Sequence, residues 1–303
     1  MWRITAEAMM REETREKDGR TFHLRYYDGL GDFVSRAERV ERGHKGMEFN
    51  GMECGSLATD DNRWAGTNSL AEAIAFARRG WPEGRMKMRD MRKRLKVGNL
   101  LSNAQRFVTS YDVSGDEPDV GRYLSGEPEN MRTQWDTLVP QRGKVIRFLL
   151  NRSASCGTDV SRIVRRGVAL QLAFETLLKL GYAPEVSISF VTGAGYSRME
   201  QYVPILRAGD PIDLDTLAFM FIQPAVLRRL FLAVTECESK DIRKTYGFYE
   251  HGSYGMPQDP LLAPPHDLLM KWEYGLVYSD EEVIPITFDI LRRVGIKIDD
   301  KAA

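Results

Sequence analysis

With 303 residues, 43% of them hydrophobic and 28% charged, the chain is long enough for one large domain or two ordinary ones, and its composition argues against global disorder. Lys plus Arg and Asp plus Glu both number 43, so no net charge draws the whole molecule to nucleic acid or a membrane surface. Cys54, Cys156 and Cys237 form no CxxC pair, Met1-Trp-Arg-Ile runs into charge rather than an apolar signal core, and no apolar run reaches about 18 residues, so the expectation is a reduced, cytoplasmic protein.

Residues 2–17 are charged with a narrow apolar stripe (Ile4, Ala8, Met9) and predict a helix or arm. Residues 20–27 alternate as a strand, and Asp28-Gly-Leu-Gly turns the chain into a helix with Phe33, Val34, Ala37 and Val40 on one face. Residues 43–62 read as irregular, and His23 and His44 as packing or surface histidines. Ser69-Leu-Ala-Glu72 is a capping box that opens a helix ending at Gly80, with Trp64 and Trp81 as aromatic anchors at its ends.

Residues 85–96 predict a second helix. Its Arg85, Lys87, Arg89, Arg92, Lys93 and Arg94 form a candidate anion-binding face. The alternative is a face neutralised within the molecule, and the acidic segment that follows favours it. Within that segment Asp112, Asp116, Glu117 and Asp119, bent by Gly115 and Pro118, are a candidate carboxylate cluster for a hard cation or an acid/base pair. The spacing is not that of an EF-hand, and Asp/Gly/Pro composition is also that of an ordinary turn.

From Lys144 the pattern changes. An apolar strand (Val145–Leu150), a polar loop, an amphipathic helix (Val160–Leu180) capped by Gly181 and a second strand (Val186–Val191) make a βαβ unit, whose loop lies where open α/β sheets place ligands. Residues 201–206 predict a strand with Pro204 at an edge or bulge, 210–216 a short helix start and 223–236 another amphipathic helix. Residues 246–265 predict a long loop flanked by His251 and His266, and 285–295 a last helix. The fold expected is α/β: a mainly parallel, Rossmann-like sheet with helices on both faces in residues 141–303, and a smaller α+β region in 1–140 carrying the basic helix and acidic loop.

Leu149-Leu-Asn-Arg-Ser-Ala-Ser155, its helix and the strand ending at Phe190 resemble a von Willebrand factor A-type domain. That family opens with Asp-x-Ser-x-Ser, the start of a magnesium-dependent adhesion site. The resemblance implies a Rossmann-like sheet and assigns Asn151, Ser153 and Ser155 to the motif, with Thr216 as the candidate for the family's later Thr. Asn151 stands where the family has Asp, and no later strand ends in Asp-Gly, so a degenerate site is implied, holding magnesium weakly or not at all. The full length, including Trp64-Ala-Gly, Gly80-Trp-Pro-Glu-Gly and Gly115-Asp-Glu-Pro-Asp, resembles proteins carried by bacteriophages and plasmids, which implies a host cytoplasm or a virion.

The expectation for function is thus a protein-interaction or assembly module without a cofactor, its partner being a protein, a second copy or an ATPase of the AAA type. The alternatives are a metal-assisted hydrolase of phosphoesters or nucleotides using Asp112–Asp119, with His251 or His266 as a base, and nucleic-acid binding through Arg85–Lys96. No P-loop, HExxH or GxSxG motif supports an enzyme.

Overall fold

The fold was obtained as a computed structural model, which describes residues 11–43, 48–49, 52–53, 56–57, 62–94, 109–115, 117–134, 143–155, 157–236, 238–246, 256–271 and 279–296. In chain order these form β1 (Arg11–Lys17), β2 (Arg20–Tyr26), α1 (Leu30–Gly43), β3 (Glu48–Phe49), β4 (Met52–Glu53), α2 (Asn62–Ala65), α3 (Leu70–Arg79) and α4 (Pro82–Arg94). Then come β5 (Thr109–Asp112), β6 (Glu117–Pro118), α5 (Val120–Leu124), β7 (Met131–Gln134), β8 (Val145–Asn151), α6 (Val160–Lys179), β9 (Ala183–Ala194) and β10 (Ser197–Leu206). The last part holds α7 (Leu214–Ile222), a π-helical stretch (Val226–Phe231) continuing as α8 (Leu232–Glu236), α9 (Lys240–Thr245), β11 (Met256–Pro257), β12 (Leu268–Met270) and α10 (Val283–Arg293).

A seven-stranded sheet runs β1-β2-β10-β9-β8-β12, with β11 paired to β9. The β8–α6–β9 crossover is parallel, as the sequence pattern requires. The sheet as a whole is mixed rather than mainly parallel. β2/β10, β8/β9 and β8/β12 are parallel, whereas β1/β2, β9/β10 and β9/β11 are antiparallel. The reason lies in connection length. Only Gly195 and Tyr196 separate β9 from β10, and a parallel return needs a dozen residues or more. Pro204 sits at the register shift of β10, as a residue without an N–H should.

The arm expected over 2–17 is, from Arg11 onward, the edge strand β1; residues 1–10 lie outside the described part. Asp18 and Gly19 alone close the β1–β2 hairpin, both at positive φ (52° and 70°). Two left-handed residues match the twist of the flanking strands, and Asp-Gly is a pair that tolerates them. The charged side chains of β1 then leave the open edge unattractive to further strands.

On one face, Phe148 and Leu150 of β8, Val186, Ile188 and Phe190 of β9, and Met199 and Val203 of β10 enter the core. Helices α1, α3, α6, α7 and α10 pack against one another over this face, joined by the π-helical stretch, whose Phe231 ring lies 5.5 Å from that of Phe190. The other face carries Asn151, Ser189, Glu200 and Tyr202. Among the described residues it is crossed by 258–262, whose Leu261 and Leu262 amides donate to the buried Glu200 carboxylate at 2.9 and 3.1 Å. Helices on both faces were expected; among the described residues a strap takes the second face.

The sheet and core draw on residues from both sides of the 140/141 division. β2 lies parallel to β10 with Thr21 opposite Ser197, Phe33 packs on Phe231 at 4.7 Å, and Trp81 joins Phe219 in the same core. No single described helix is long and apolar enough to cross a membrane. The bent pair Leu214–Ile222 and Val226–Glu236 passes that test by composition, and its residues are mostly buried in the core.

Candidate functional site

The carboxyl end of β8, where the polar loop begins, is the natural place for a site in an α/β sheet. Asn151 is fully buried there. Its Oδ1 accepts from the Ser153 amide at 3.0 Å, and its Nδ2 donates to Gln258 O at 2.7 Å and Asp259 Oδ1 at 3.1 Å. The amide thus closes the turn out of β8 and fastens the strap. Ser153 Oγ donates to Val191 O and accepts from Val191 N, both at 2.8 Å, so it stands in for a strand residue on the stretch of β9 that β8 has left. Ser155 is exposed.

Thr216 does not join them. It lies at the N-terminus of α7, where its hydroxyl donates to the capping Asp213 at 2.6 Å. The β8 loop docks at the opposite end of that helix. Arg152 donates to Phe221 O at 2.9 Å and Gln223 O at 2.8 Å, and five residues of helix span about 7.5 Å. The constellation assigned to Asn151, Ser153, Ser155 and Thr216 is therefore not assembled. The first two hydroxyl or amide groups are engaged in the backbone, and the Thr belongs to another helix end.

What the geometry does gather is arginine. Arg152 comes from the β8 loop. Arg166, on α6, donates to Met270 O at 2.8 Å and Lys271 O at 2.9 Å, just past β12. Arg228, on the π-helical stretch, donates to Trp64 O at 2.7 Å and Thr158 O at 2.9 Å and stacks over the Trp64 ring at 4.6 Å. Arg229 donates to Ser56 O and Thr67 O at 2.8 and 3.0 Å. All four are buried. The turn around Phe221–Gln223, which Arg152 holds, is closely packed. A Cβ on Gly167 would stand 2.5 Å from Phe221 O, and one on Gly66 2.2 Å from Gln223 Oε1, so α6 and the segment before α3 both press against it.

Burial pushes Arg152 down to about 9, with the charges of Arg166 and Arg228 adding to the push. Burial likewise brings Arg166 down to about 10, opposed by Asp259. A guanidinium keeps its proton at any working pH, so these shifts express the cost of holding the charges there.

The model of a family described as a domain of unknown function (DUF7192) matches residues 12–285. The chain belongs to the DUF7192 family. No curated protein and no solved structure matches it. The DUF7192 match runs from β1 into α10 and so takes in residues on both sides of position 140 as one unit.

Elsewhere in the DUF7192 chain, the predicted basic face is largely matched from within. Arg85 pairs with Asp215 at 3.1 Å, Arg92 with Glu175 at 2.5 Å, Lys93 with Asp90 at 3.7 Å and Arg94 with Asp280 at 3.9 Å. Lys87 lies 4.9 Å over the Trp81 ring, and Arg89 is exposed.

The carboxylate loop is only partly described: Asp116 and the Asp112 side chain lie outside the described residues. Glu117 is exposed, and Asp119 caps α5, accepting from Arg122 N at 3.1 Å and Tyr111 Oη at 3.2 Å. Those bonds, the Arg122 amide first, hold Asp119 below the usual carboxylate range. His44, His251 and Lys96 also lie outside the described residues, while His266 is exposed with Nδ1 2.9 Å from Pro264 O.

A second buried polar group lies under β1 and β2. Arg25 pairs with Glu238 and, at 3.5 Å, with Glu12; Arg36 approaches Glu238 at 3.9 Å; His23 Nε2 lies 3.1 Å from Glu12 Oε1. Burial pushes Glu238 up against the pull of Arg25 and Arg36. Sequence reading missed both buried groups. The available signal was arginine inside apolar runs, as in Ala225-Val-Leu-Arg-Arg-Leu-Phe-Leu and Phe22-His-Leu-Arg25.

Proposed function

We propose that the chain is a non-catalytic protein-binding module whose contact surface is the small unit of residues 109–134. The observation that carries this is an ordered apolar patch. Val113, Val120, Tyr123 and Leu124 are 68%, 63%, 66% and 78% exposed, within twelve residues of chain. Their scaffold is built: β5, β7 and β6 form a three-stranded sheet, Asp119 caps α5, Arg122 stacks over Tyr111 at 4.1 Å and pairs with Glu127 at 2.5 Å. Large apolar side chains held out to water on a fixed frame bind a partner at low ordering cost. Glu117, Glu127 and Glu129 are exposed in the same unit, so the partner chemistry is an apolar groove edged by cations.

In this reading the A-type likeness is confined to the β8–α6–β9 unit and its loop serves the scaffold. The hydrolase and nucleic-acid alternatives draw no support from an Asp119 used as a helix cap or from α4 cations paired internally. Leu124→Asp and Tyr123→Asp test the reading, since both sites are exposed and the fold should be unaffected. Cross-linking in the native cell, followed by titration of the purified partner, is expected to show affinity lowered about 30-fold by Leu124→Asp, roughly 2 kcal/mol. Capture that both variants leave unchanged would refute it.

A further inference from the structure

We propose that the outer face of α4 receives the small unit of residues 109–134 from a second copy of the chain, acidic unit to basic helix. The proposal rests on the reading of that unit as a contact surface and names its partner. Helix α4 buries Gly84, Met88 and Met91, and at about 100° per residue Met86, Arg89 and Lys93 fall on the opposite side. Met86 is exposed there, an apolar side chain among cations. Arg85, Arg92 and Arg94 are drawn sideways to Asp215, Glu175 and Asp280, and Lys93 has Asp90 of its own helix. Lys87 and Arg89 make no ion pair among the described residues.

Charge is complementary between the two surfaces. Of the side chains described in the small unit, Glu117, Asp119, Glu127 and Glu129 are acidic and Arg122 is basic. Helix α4 carries six Lys and Arg against Glu83 and Asp90. Opposite potentials of this kind steer two surfaces together and fix their register. The exposed Tyr123 and Leu124 then have Met86 as an apolar counterpart.

The same structure places the contact between copies. Met86 and Leu124 are both open to water in one chain, at 56% and 78% exposure, so the two surfaces do not cover each other within it. Two different surfaces that fit one another make a head-to-tail contact, which repeats into a ring or an open chain and does not stop at a symmetric pair.

The test is sedimentation velocity of the full chain over a concentration series. At about 50 mM salt the mean mass should rise with concentration, and at about 500 mM, where exposed charges are screened, association should weaken about tenfold or more. Arg89→Glu breaks the helix side and Leu124→Asp the unit side; both positions are exposed, and an unchanged thermal midpoint certifies the fold. Each variant alone should stay monomeric. Mixed in equal amounts, they should form a dimer and nothing larger, because each copy brings one working surface. A chain that is monomeric at low salt, association that Arg89→Glu leaves unchanged, or a mixture without dimer overturns the proposal. Capture of a different protein that Leu124→Asp abolishes, by a chain that stays monomeric, overturns the second copy alone and keeps the small unit as a contact surface. Capture indifferent to Leu124→Asp and Tyr123→Asp removes both.

Discussion

Single residues show where patterns mislead. Asn151-x-Ser153 is legible as a motif, yet a motif does not say what its groups face, and here they face Gln258, Asp259 and Val191. Ser153→Ala should therefore cost about 1–3 kcal/mol, because both Val191 backbone groups lose their partner, and urea unfolding measures it. Titration with magnesium should give no saturable heat in either protein; a micromolar site abolished by Ser153→Ala would restore the adhesion-site reading. His23 supplies a pH prediction. Burial first, then Arg25, hold it below its ordinary 6.5, while Glu12 pulls the other way and the Tyr246 ring covers it. The unfolded chain then takes up the proton first, so stability is lost as pH falls below about 6.5 and through the folded value. His23→Gln should flatten that fall in thermal midpoint between pH 7 and 5, and an unchanged slope would remove His23 from the account.

Secondary elements were far more legible than their partners. Ser69 caps α3 by accepting from Glu72 N at 3.1 Å, although the Glu72 side chain returns to the Asn68 amide rather than to Ser69. Gly80 ends the helix at φ 80° with Asp215 Cβ only 2.5 Å from where a side chain would start. Strand β12 gave no usable signal, since three residues carry no period. The π-helical stretch was also beyond pattern reading, because all six of its residues, Arg228 and Arg229 included, are buried and leave no polar face to set a period. Contact between helices can be tested at Gly167. A Cβ there would fall 2.2 Å from Ile222 Cγ2 and 2.5 Å from Phe221 O, so Gly167→Ala must push α6 away from α7 despite its better helix propensity. A loss of about 1–3 kcal/mol is expected in denaturant unfolding, and a stabilised variant would contradict the close approach.

At the scale of the whole molecule, the break before the βαβ pattern suggested a boundary at 140/141, and pairing of β2 with β10 runs across it. Local periodicity cannot register a strand that enters the sheet from far away in sequence. A fragment of residues 141–303 exposes the edge of β10 and the core around Phe231, so it should lack a cooperative unfolding transition; a fragment with a sharp, native-like transition would show the second region to be autonomous. The same pairing has a consequence in time. Because Thr21 faces Ser197, the first hairpin leaves the ribosome long before its neighbour exists, by about 10–35 s at ordinary elongation rates. Throughout that interval β2, with Phe22 and Leu24, has β1 and not yet β10 as a strand neighbour, and a nascent chain paused before β10 is a form open to capture by a chaperone.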